Sequence, residues 1–144
     1  MKLSNVDIGH YPKFAYYVKN SIPKITGVKS IVRAMQDIGQ IDKVTLKRVV
    51  KWKSDPTIKI TPLAGAYGEF TPYINSSEIR IDKTIVEDYE AGRGKKVARA
   101  GNADLVGITL LHELVHWGDD QDGIDRPGEE GEEFELRVYG SVIF

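Results

Sequence analysis

The sequence contains no cysteine, and this absence excludes several kinds of site. Without cysteine the chain cannot form a disulfide scaffold, a zinc site with thiolate ligands or a thiol nucleophile. Any metal ion must therefore be held by histidine, aspartate or glutamate. Because the chain has only 3 histidines, few metal sites that contain histidine are possible.

Long hydrophobic runs are also absent. The N-terminal residues 1–14 lack the uninterrupted apolar run of roughly 7–15 residues that a secretory signal peptide requires. No stretch approaches the roughly 18 apolar residues of a transmembrane helix. We therefore expect neither a signal peptide nor insertion into a membrane.

The chain carries no excess of charge of either sign, since 20 Lys and Arg residues against 21 Asp and Glu residues give a formal charge of −1. Because both signs are interspersed, we expect neither the basic surface of a nucleic-acid-binding protein nor a polybasic membrane anchor. The 144 residues are enough for one hydrophobic core but not for two. We expect a single domain over residues 1–144.

Hydrophobic periodicity predicts both helices and strands. Apolar residues at helical spacing, together with proline and glycine positions, predict helices over residues 12–20, 28–38, 84–91 and 129–139, and a further helix that Asp42 caps. Alternating residues predict strands over residues 57–61 and 77–82, with Ile79 and Ile81 on one face. The pattern predicts an α+β fold with a small antiparallel or mixed sheet.

Residues 102–117 form the most apolar helical segment, and we expect this helix to be buried and to end at Gly118. Between Leu105 and Trp117 its only ionisable side chains are those of His112, Glu113 and His116. Burying three such groups together is costly unless something binds them.

The segment HELVH at residues 112–116 matches the pattern HExxH. On a helix, residues four apart lie on the same face with about 5–6 Å between their Cβ atoms. Imidazoles at His112 and His116 can therefore bind one Zn²⁺ ion, and Glu113 is then close enough to act as general base on a water molecule. A surface helix with a scattered histidine pair is the alternative, and the apolar flanking residues disfavour it.

A catalytic zinc site needs a third protein ligand. We interpret His10, far upstream, as a surface residue. Asp122 follows His112 by ten residues, as the third ligand of metzincins does, but the chain has glycine at Gly118 instead of one position later. Its two methionines also precede the motif, so that a downstream Met-turn is impossible.

The last predicted helix offers better candidates, namely Glu129, Glu130, Glu132, Glu133 and Glu135. Helical geometry places Glu135 and Glu132 on the apolar face that also carries Val138, whereas Glu130 and Glu133 fall on a face that we interpret as solvated. The small residues at Gly128 and Gly131 would allow a close approach to the central helix. We predict Glu135 as the third ligand, with Glu132 as the alternate or as an outer group.

Residues 111–140 resemble the gluzincin-like zinc metallopeptidases that occur as toxin domains of bacterial polymorphic toxins, the metallopeptidase toxin family, and at the C-termini of type VI secretion VgrG proteins. The run ELRVYG at residues 135–140 is also similar to the second motif of clostridial neurotoxin light chains, in which the glutamate is a ligand. This similarity independently favours Glu135. The resemblance implies a compact zincin-like fold with a buried active-site helix.

The resemblance further implies a Zn²⁺-dependent endopeptidase that hydrolyses a protein or peptide substrate. It implies an effector made in the bacterial cytoplasm and delivered without a signal peptide into a target cell, with the periplasm as one destination, and a cognate immunity protein. Because little sequence follows Gly140, we expect the oxyanion donor among Tyr139, Tyr67 and Tyr73. Similar zincins bind substrate along an edge strand, for which residues 77–82 are the candidate.

Other functions are compatible with these residues. The motif could belong to a metal-binding interaction module that does not catalyse, or to a hydrolase that cleaves bonds other than peptide bonds. The acidic segment 118–129 could also bind calcium, although Gly118 would then occupy the first ligand position of an EF-hand loop.

Overall fold

The computed structural model describes residues 1–72, 74–121, 123 and 129–143. The fold is α+β, as predicted. The α-helices are α1 (Asn5–His10), α2 (Pro12–Tyr16), α3 (Lys29–Asp37), α4 (Lys43–Val49), α5 (Lys83–Glu90), α6 (Leu105–Asp120) and α7 (Glu130–Tyr139). A π-helical turn (Tyr17–Ser21) and a 3-10 helix (Ile22–Gly27) join α2 to α3, and a short 3-10 helix (Ala98–Ala100) lies before α6.

Strands β1 (Thr57–Thr61), β2 (Gly68–Glu69) and β3 (Glu78–Asp82) form a small mixed sheet in the order β1-β3-β2. Strand β3 is parallel to β1 and antiparallel to β2. The prediction that residues 77–82 form an edge strand is therefore wrong, because β3 is hydrogen-bonded on both sides. The outer strands of this sheet are β1, which Lys2 bridges at Thr57, and the short β2. Strands β4 (Lys96–Val97) and β5 (Ala103–Asp104) pair antiparallel in a second sheet.

Helix α6 runs through the core, as its apolar composition predicts. Every residue from Leu105 to Val115 is buried, and the helix packs against α7, α5, β3 and β2. Phe14, Leu46, Ile79 and Phe134 belong to the same hydrophobic cluster. Burial of this helix brings the HExxH segment to the place where α7 and β2 meet α6.

Two local predictions have different outcomes. Asp42 caps α4 as predicted, because its Oδ1 accepts a hydrogen bond of 2.7 Å from the backbone N–H of Thr45. Gly118 does not end α6, which continues to Asp120. A Cβ atom at Gly118 would overlap the carbonyl oxygen of Gly39 and the side chain of Ile41, so glycine serves close packing at this position.

The part of the chain that the structure describes contains no helix that is both long enough and apolar enough to span a bilayer.

Candidate metal centre

Helix α6 presents His112, Glu113 and His116 to a cleft of about 290 Å³. The two imidazole ring centroids are 5.2 Å apart, as expected for residues four apart on one helix face. Strand β2 lines one side of the cleft with Gly68 and Glu69, and the start of α7 lines the other. The helix face that carries these three side chains therefore opens into a cleft, although most of α6 is buried.

The Nε2 atoms of both histidines converge on one carboxylate oxygen. The Oε1 atom of Glu129 lies 2.7 Å from Nε2 of His116 and 3.3 Å from Nε2 of His112. All three atoms lie within 4.8 Å of one another. In a tetrahedral zinc site with bonds of about 2.0–2.1 Å, ligand atoms are about 3.3 Å apart. The spacing of these donors is therefore suitable for a zinc ion after a small opening of the His116–Glu129 contact.

The other nitrogen of each ring faces a different carboxylate. Nδ1 of His112 lies 2.9 Å from Oε1 of Glu135, and Nδ1 of His116 lies 3.1 Å from Oε2 of Glu130. A carboxylate at Nδ1 favours the tautomer that is protonated there, which directs the Nε2 lone pair towards a metal. Both rings are thus held with Nε2 towards the cleft, in the orientation that metal binding requires.

Burial of Glu130 supports the same conclusion. Only 4% of Glu130 is exposed, and within the described residues its Oε1 atom has no hydrogen-bond partner. A buried carboxylate oxygen without a partner is costly unless a nearby positive charge compensates it. A divalent cation among the three donors would supply that charge, so the residues present fit a bound metal ion.

The sequence explains how α7 comes so close to α6. Glu129 is the N-cap of α7, and its Oε1 atom accepts a hydrogen bond of 3.2 Å from the backbone N–H of Gly131. A Cβ atom at Gly131 would overlap the ring of His112. The predicted role of Gly131 in close approach is confirmed, whereas Gly128 lies outside the described residues.

Glu113 occupies the buried side of the cleft beside β2. Burial raises its pKa from 4.5 to about 7, although the charge of His112 partly opposes this shift. Such a pKa suits a residue that must accept and return a proton near neutral pH. Gly68 is required here, because a Cβ atom on it would lie 2.8 Å from Cγ of Glu113 and 2.8 Å from Cγ2 of Thr109.

The pKa of His112 is also shifted. Burial alone would lower it, but the hydrogen bond to Glu135 and the charges of Glu113, Glu135 and Glu129 together raise it. Without a metal ion, the negative charge around this ring thus favours the imidazolium form. A cation that binds at Nε2 would replace that proton.

The predicted third ligand lies elsewhere than expected. Glu135 is completely buried, as its position on the apolar face indicates, but it contacts Nδ1 of His112 and is not part of the group around Nε2. It also accepts a hydrogen bond from the backbone N–H of Ile143. Glu132 is exposed, and Asp122 lies outside the described residues.

Sequence reasoning missed the parts played by Glu129 and Glu130. Sorting by helix face could not identify Glu129, because this residue precedes the first helical position and does not follow the helical period. The expectation that Glu130 is solvated is wrong, since the contact with His116 buries it. The sequence signal that could have identified Glu129 is an acidic residue at a helix N-cap shortly before a small residue.

The candidate oxyanion donors do not line this cleft in the described part of the chain. Tyr139 packs beside Val97, Leu105 and Ile108 in a second hydrophobic cluster, and burial raises its pKa to about 12. Tyr67 packs in the same cluster. Tyr73 lies outside the described residues. The position of Tyr139 therefore gives no support to its predicted catalytic role.

A calcium loop that starts at Gly118 is not supported, because residues 118–120 continue helix α6. His10 ends α1 and is exposed, in agreement with its interpretation as a surface residue. Within the described ranges, His112, His116 and Glu129 form the only group of three histidine or acidic side chains with donor atoms close enough to hold one metal ion.

One of three comparisons with known proteins found a match. Searches of the curated proteins and of the solved structures found no match. The sequence model of the family described as metallopeptidase toxin 3 matches residues 7–140, a range that includes the HExxH segment and all of α7. The chain therefore belongs to the metallopeptidase toxin 3 family.

Proposed function

We propose that the protein is a zinc-dependent endopeptidase whose metal ligands are Nε2 of His112, Nε2 of His116 and the carboxylate of Glu129. The convergence of these three donors carries the proposal. Glu135 and Glu130 hold the two rings from their Nδ1 sides. Because His116 is only partly buried and Glu129 is exposed, a metal ion held by these donors would leave a fourth position accessible from the cleft, as a catalytic site requires.

A zinc ion bound here would supply a Lewis acid that acidifies a water molecule and polarises the scissile carbonyl. Glu113 takes a proton from the attacking water and later delivers it to the leaving amine. Burial raises the pKa of Glu113 to about 7 in the metal-free chain, and the charge of a bound zinc ion would lower it again, so that the carboxylate is the form that meets the water.

The substrate peptide is proposed to lie along β2. This strand pairs with β3 through Gly68 and Glu69, and within the described residues no strand pairs with its other edge. An extended peptide can add to such an edge through backbone hydrogen bonds. Since Gly68 contacts Glu113, a peptide on this edge would pass the general base and the metal ligands.

Zinc content and proteolysis together test this function. Purified wild-type protein should contain one zinc ion per chain and cleave an unfolded protein substrate. Glu113→Gln should keep the zinc and lose about 10²–10⁴-fold in kcat, the usual contribution of a general base. A wild-type protein that binds no zinc, or a Glu113→Gln variant that cleaves normally, would contradict the proposal.

Zinc binding without any proteolysis would instead support the non-catalytic metal-binding module. Hydrolysis of an ester or amide that is not a peptide, with peptides left intact, would support a different hydrolase. Both outcomes keep the metal site and reject the peptidase activity, so the experiment separates the two parts of the proposal.

Membership in the toxin family supports an effector that is delivered into a target cell and neutralised by an immunity protein in the producer. Expression of the chain in the cytoplasm or, with an added signal peptide, in the periplasm of a test bacterium would identify the sensitive compartment. Toxicity should disappear in Glu113→Gln. Equal toxicity of wild type and variant in both compartments would contradict an effector that acts through peptide hydrolysis.

A further inference from the structure

The charges of the chain are strongly separated, although the formal net charge is only −1. Residues 1–61 contain 12 Lys and Arg against 4 Asp and Glu, whereas residues 62–144 contain 8 against 17. The first segment therefore carries a formal charge of +8 and the second −9. The interpretation that both signs are interspersed is wrong.

The positive charge is concentrated on one surface, which we name the basic face. It consists of the exposed side chains of Lys19, Lys24, Lys29, Arg33, Lys43, Lys47, Arg48, Lys51 and Lys53. The elements that carry them are contiguous, because the 3-10 helix Ile22–Gly27 packs against the π-helical turn, α3 and α4. Two grooves on this surface, of about 580 and 420 Å³, share Thr26 in their lining.

The basic face is not neutralised by neighbouring acids. Residues 19–55 contain three acidic residues, Asp37, Asp42 and Asp55, of which Asp55 lines a groove with Arg48 and Lys53 and pairs with Lys2 at 2.9 Å. Asp37 pairs with Arg137 at 2.6 Å, and Asp42 caps α4. Across the ranges that the structure describes, none of the nine basic side chains forms an ion pair. An ordinary solvated surface carries both signs, so this one-sided surface needs a different explanation.

We propose that the basic face binds the surface of an anionic lipid bilayer. The face spreads over several elements and does not follow a single helix or groove, which suits a planar partner with many mobile negative headgroups. Val28 and Val44 lie beside Lys29 and Lys43 and are 43% and 79% exposed, so apolar side chains can enter the interfacial region between the charges. Each basic side chain near such a surface raises the affinity roughly fivefold.

Nucleic acid is a less suitable partner for this surface. Recognition of nucleic acid favours arginine and aromatic side chains that stack on bases. Seven of the nine basic residues are lysines. Trp52, the only tryptophan of residues 1–61, is half-buried against the core. The residues present thus supply flexible point charges, which adapt to mobile lipid headgroups.

The basic face is distinct from the metal centre, since the lining of the cleft shares no residue with it. The inference does not depend on the proposed peptidase activity, and metal-free protein should bind equally well. An enzyme held at a bilayer would meet substrates at the membrane surface at a raised local concentration.

Sedimentation with vesicles tests the proposal. The protein is mixed with vesicles of phosphatidylcholine alone or of phosphatidylcholine with about 30 mol % phosphatidylglycerol, at NaCl concentrations from about 50 to 500 mM. We expect binding to the anionic vesicles only, with affinity that falls steeply as salt rises. Lys29→Gln, Arg33→Gln and Lys43→Gln together, all in the larger groove, should weaken binding on the order of 100-fold.

A triple variant of the same charge provides the matched control. Lys83, Lys95 and Arg99 are exposed, lie outside the basic face and form no ion pair within the described residues, so their change to Gln should leave binding unchanged. Circular dichroism checks that both variants fold. Equal loss in both variants, equal binding to neutral vesicles, no binding, or stronger binding to a DNA duplex at the same phosphate concentration would each overturn the proposal.

Discussion

Glu135 Oε1 lies 2.9 Å from Nδ1 of His112, on the side of the ring opposite to the nitrogen that faces Glu129. Glu135, which the sequence predicts as the third ligand, therefore contacts the ring from the side opposite to the converging donor atoms. Glu135 orients the ring and fixes its tautomer, whereas Glu129 completes the group of donor atoms. Because the two carboxylates act on different atoms of the same imidazole, mutation of each should affect zinc binding to a different extent.

Glu129→Ala should weaken zinc binding more than Glu135→Gln does. Loss of a ligand removes a metal bond, whereas loss of an outer carboxylate usually weakens metal affinity about 10–100-fold. Competition with a chromogenic chelator measures both affinities. Glu132→Ala, at an exposed position of the same helix, is the control and should bind like wild type. A larger loss in Glu135→Gln than in Glu129→Ala would restore Glu135 as the third ligand.

Gly131→Ala should destabilise the protein and impair zinc binding, because the new Cβ atom would overlap the ring of His112. Overpacking of a well-packed interior usually costs about 1–3 kcal/mol. Chemical denaturation of the metal-free and zinc-loaded protein measures both effects. Gly9→Ala is the matched control, since Gly9 also lies in a helix and a Cβ there meets no atom within 4 Å. Equal stability of the two variants would show that α7 does not approach His112 as closely as described.

The pH dependence of stability provides a third prediction. In the folded, metal-free chain the pKa of Glu113 is raised by burial from 4.5 to about 7. Between these values the folded chain retains a proton that the unfolded chain has lost, so the free energy of unfolding falls as pH rises. Above pH 7 this loss amounts to about 3 kcal/mol.

Glu113→Gln removes the ionisable group and with it this loss. With chelator present, the metal-free variant should therefore be more stable than wild type at a pH of about 8, by up to about 3 kcal/mol, and the difference should shrink towards pH 4. Urea denaturation at both pH values measures it. If the difference in the free energy of unfolding between variant and wild type does not change with pH, Glu113 has its ordinary pKa in the folded protein.

The sequence predicted most of the secondary structure and the helix that carries the site, because hydrophobic periodicity is a local signal. Strand β1 and the buried face of β3 follow directly from alternating residues. The order of strands could not be predicted in this way, since β2 has only 2 residues and too little sequence to show a period. For this reason the edge strand was assigned to residues 77–82.

The third donor was missed for a related reason. Helix-face reasoning correctly placed Glu135 inwards, but it failed in the first turn of α7, where Glu130 is buried and Glu132 is exposed. Glu129 stands at the N-cap, and its direction depends on the backbone before the helix and on the packing of Gly131 against His112. Charge separation was missed because the balanced total charge was interpreted as two interspersed signs, although basic residues predominate in residues 1–61 and acidic residues in residues 62–144.

Gly68→Ala should reduce peptidase activity while zinc remains bound. The three atoms nearest to a Cβ at Gly68 belong to Glu113 and Thr109, and because this Cβ would lie 2.8 Å from Cγ of Glu113, either Glu113 or strand β2 must move. Displacement of the base lowers kcat, and displacement of the edge strand raises KM, so kinetic analysis with one peptide substrate distinguishes these effects. Zinc content equal to wild type shows that the metal site is intact.

Gly27→Ala, at a position where a Cβ meets no atom within 4 Å, should retain full activity. If Gly68→Ala is as active as wild type, β2 cannot lie against the general base, and both the proposed position of the substrate and the role of this edge strand would have to be abandoned.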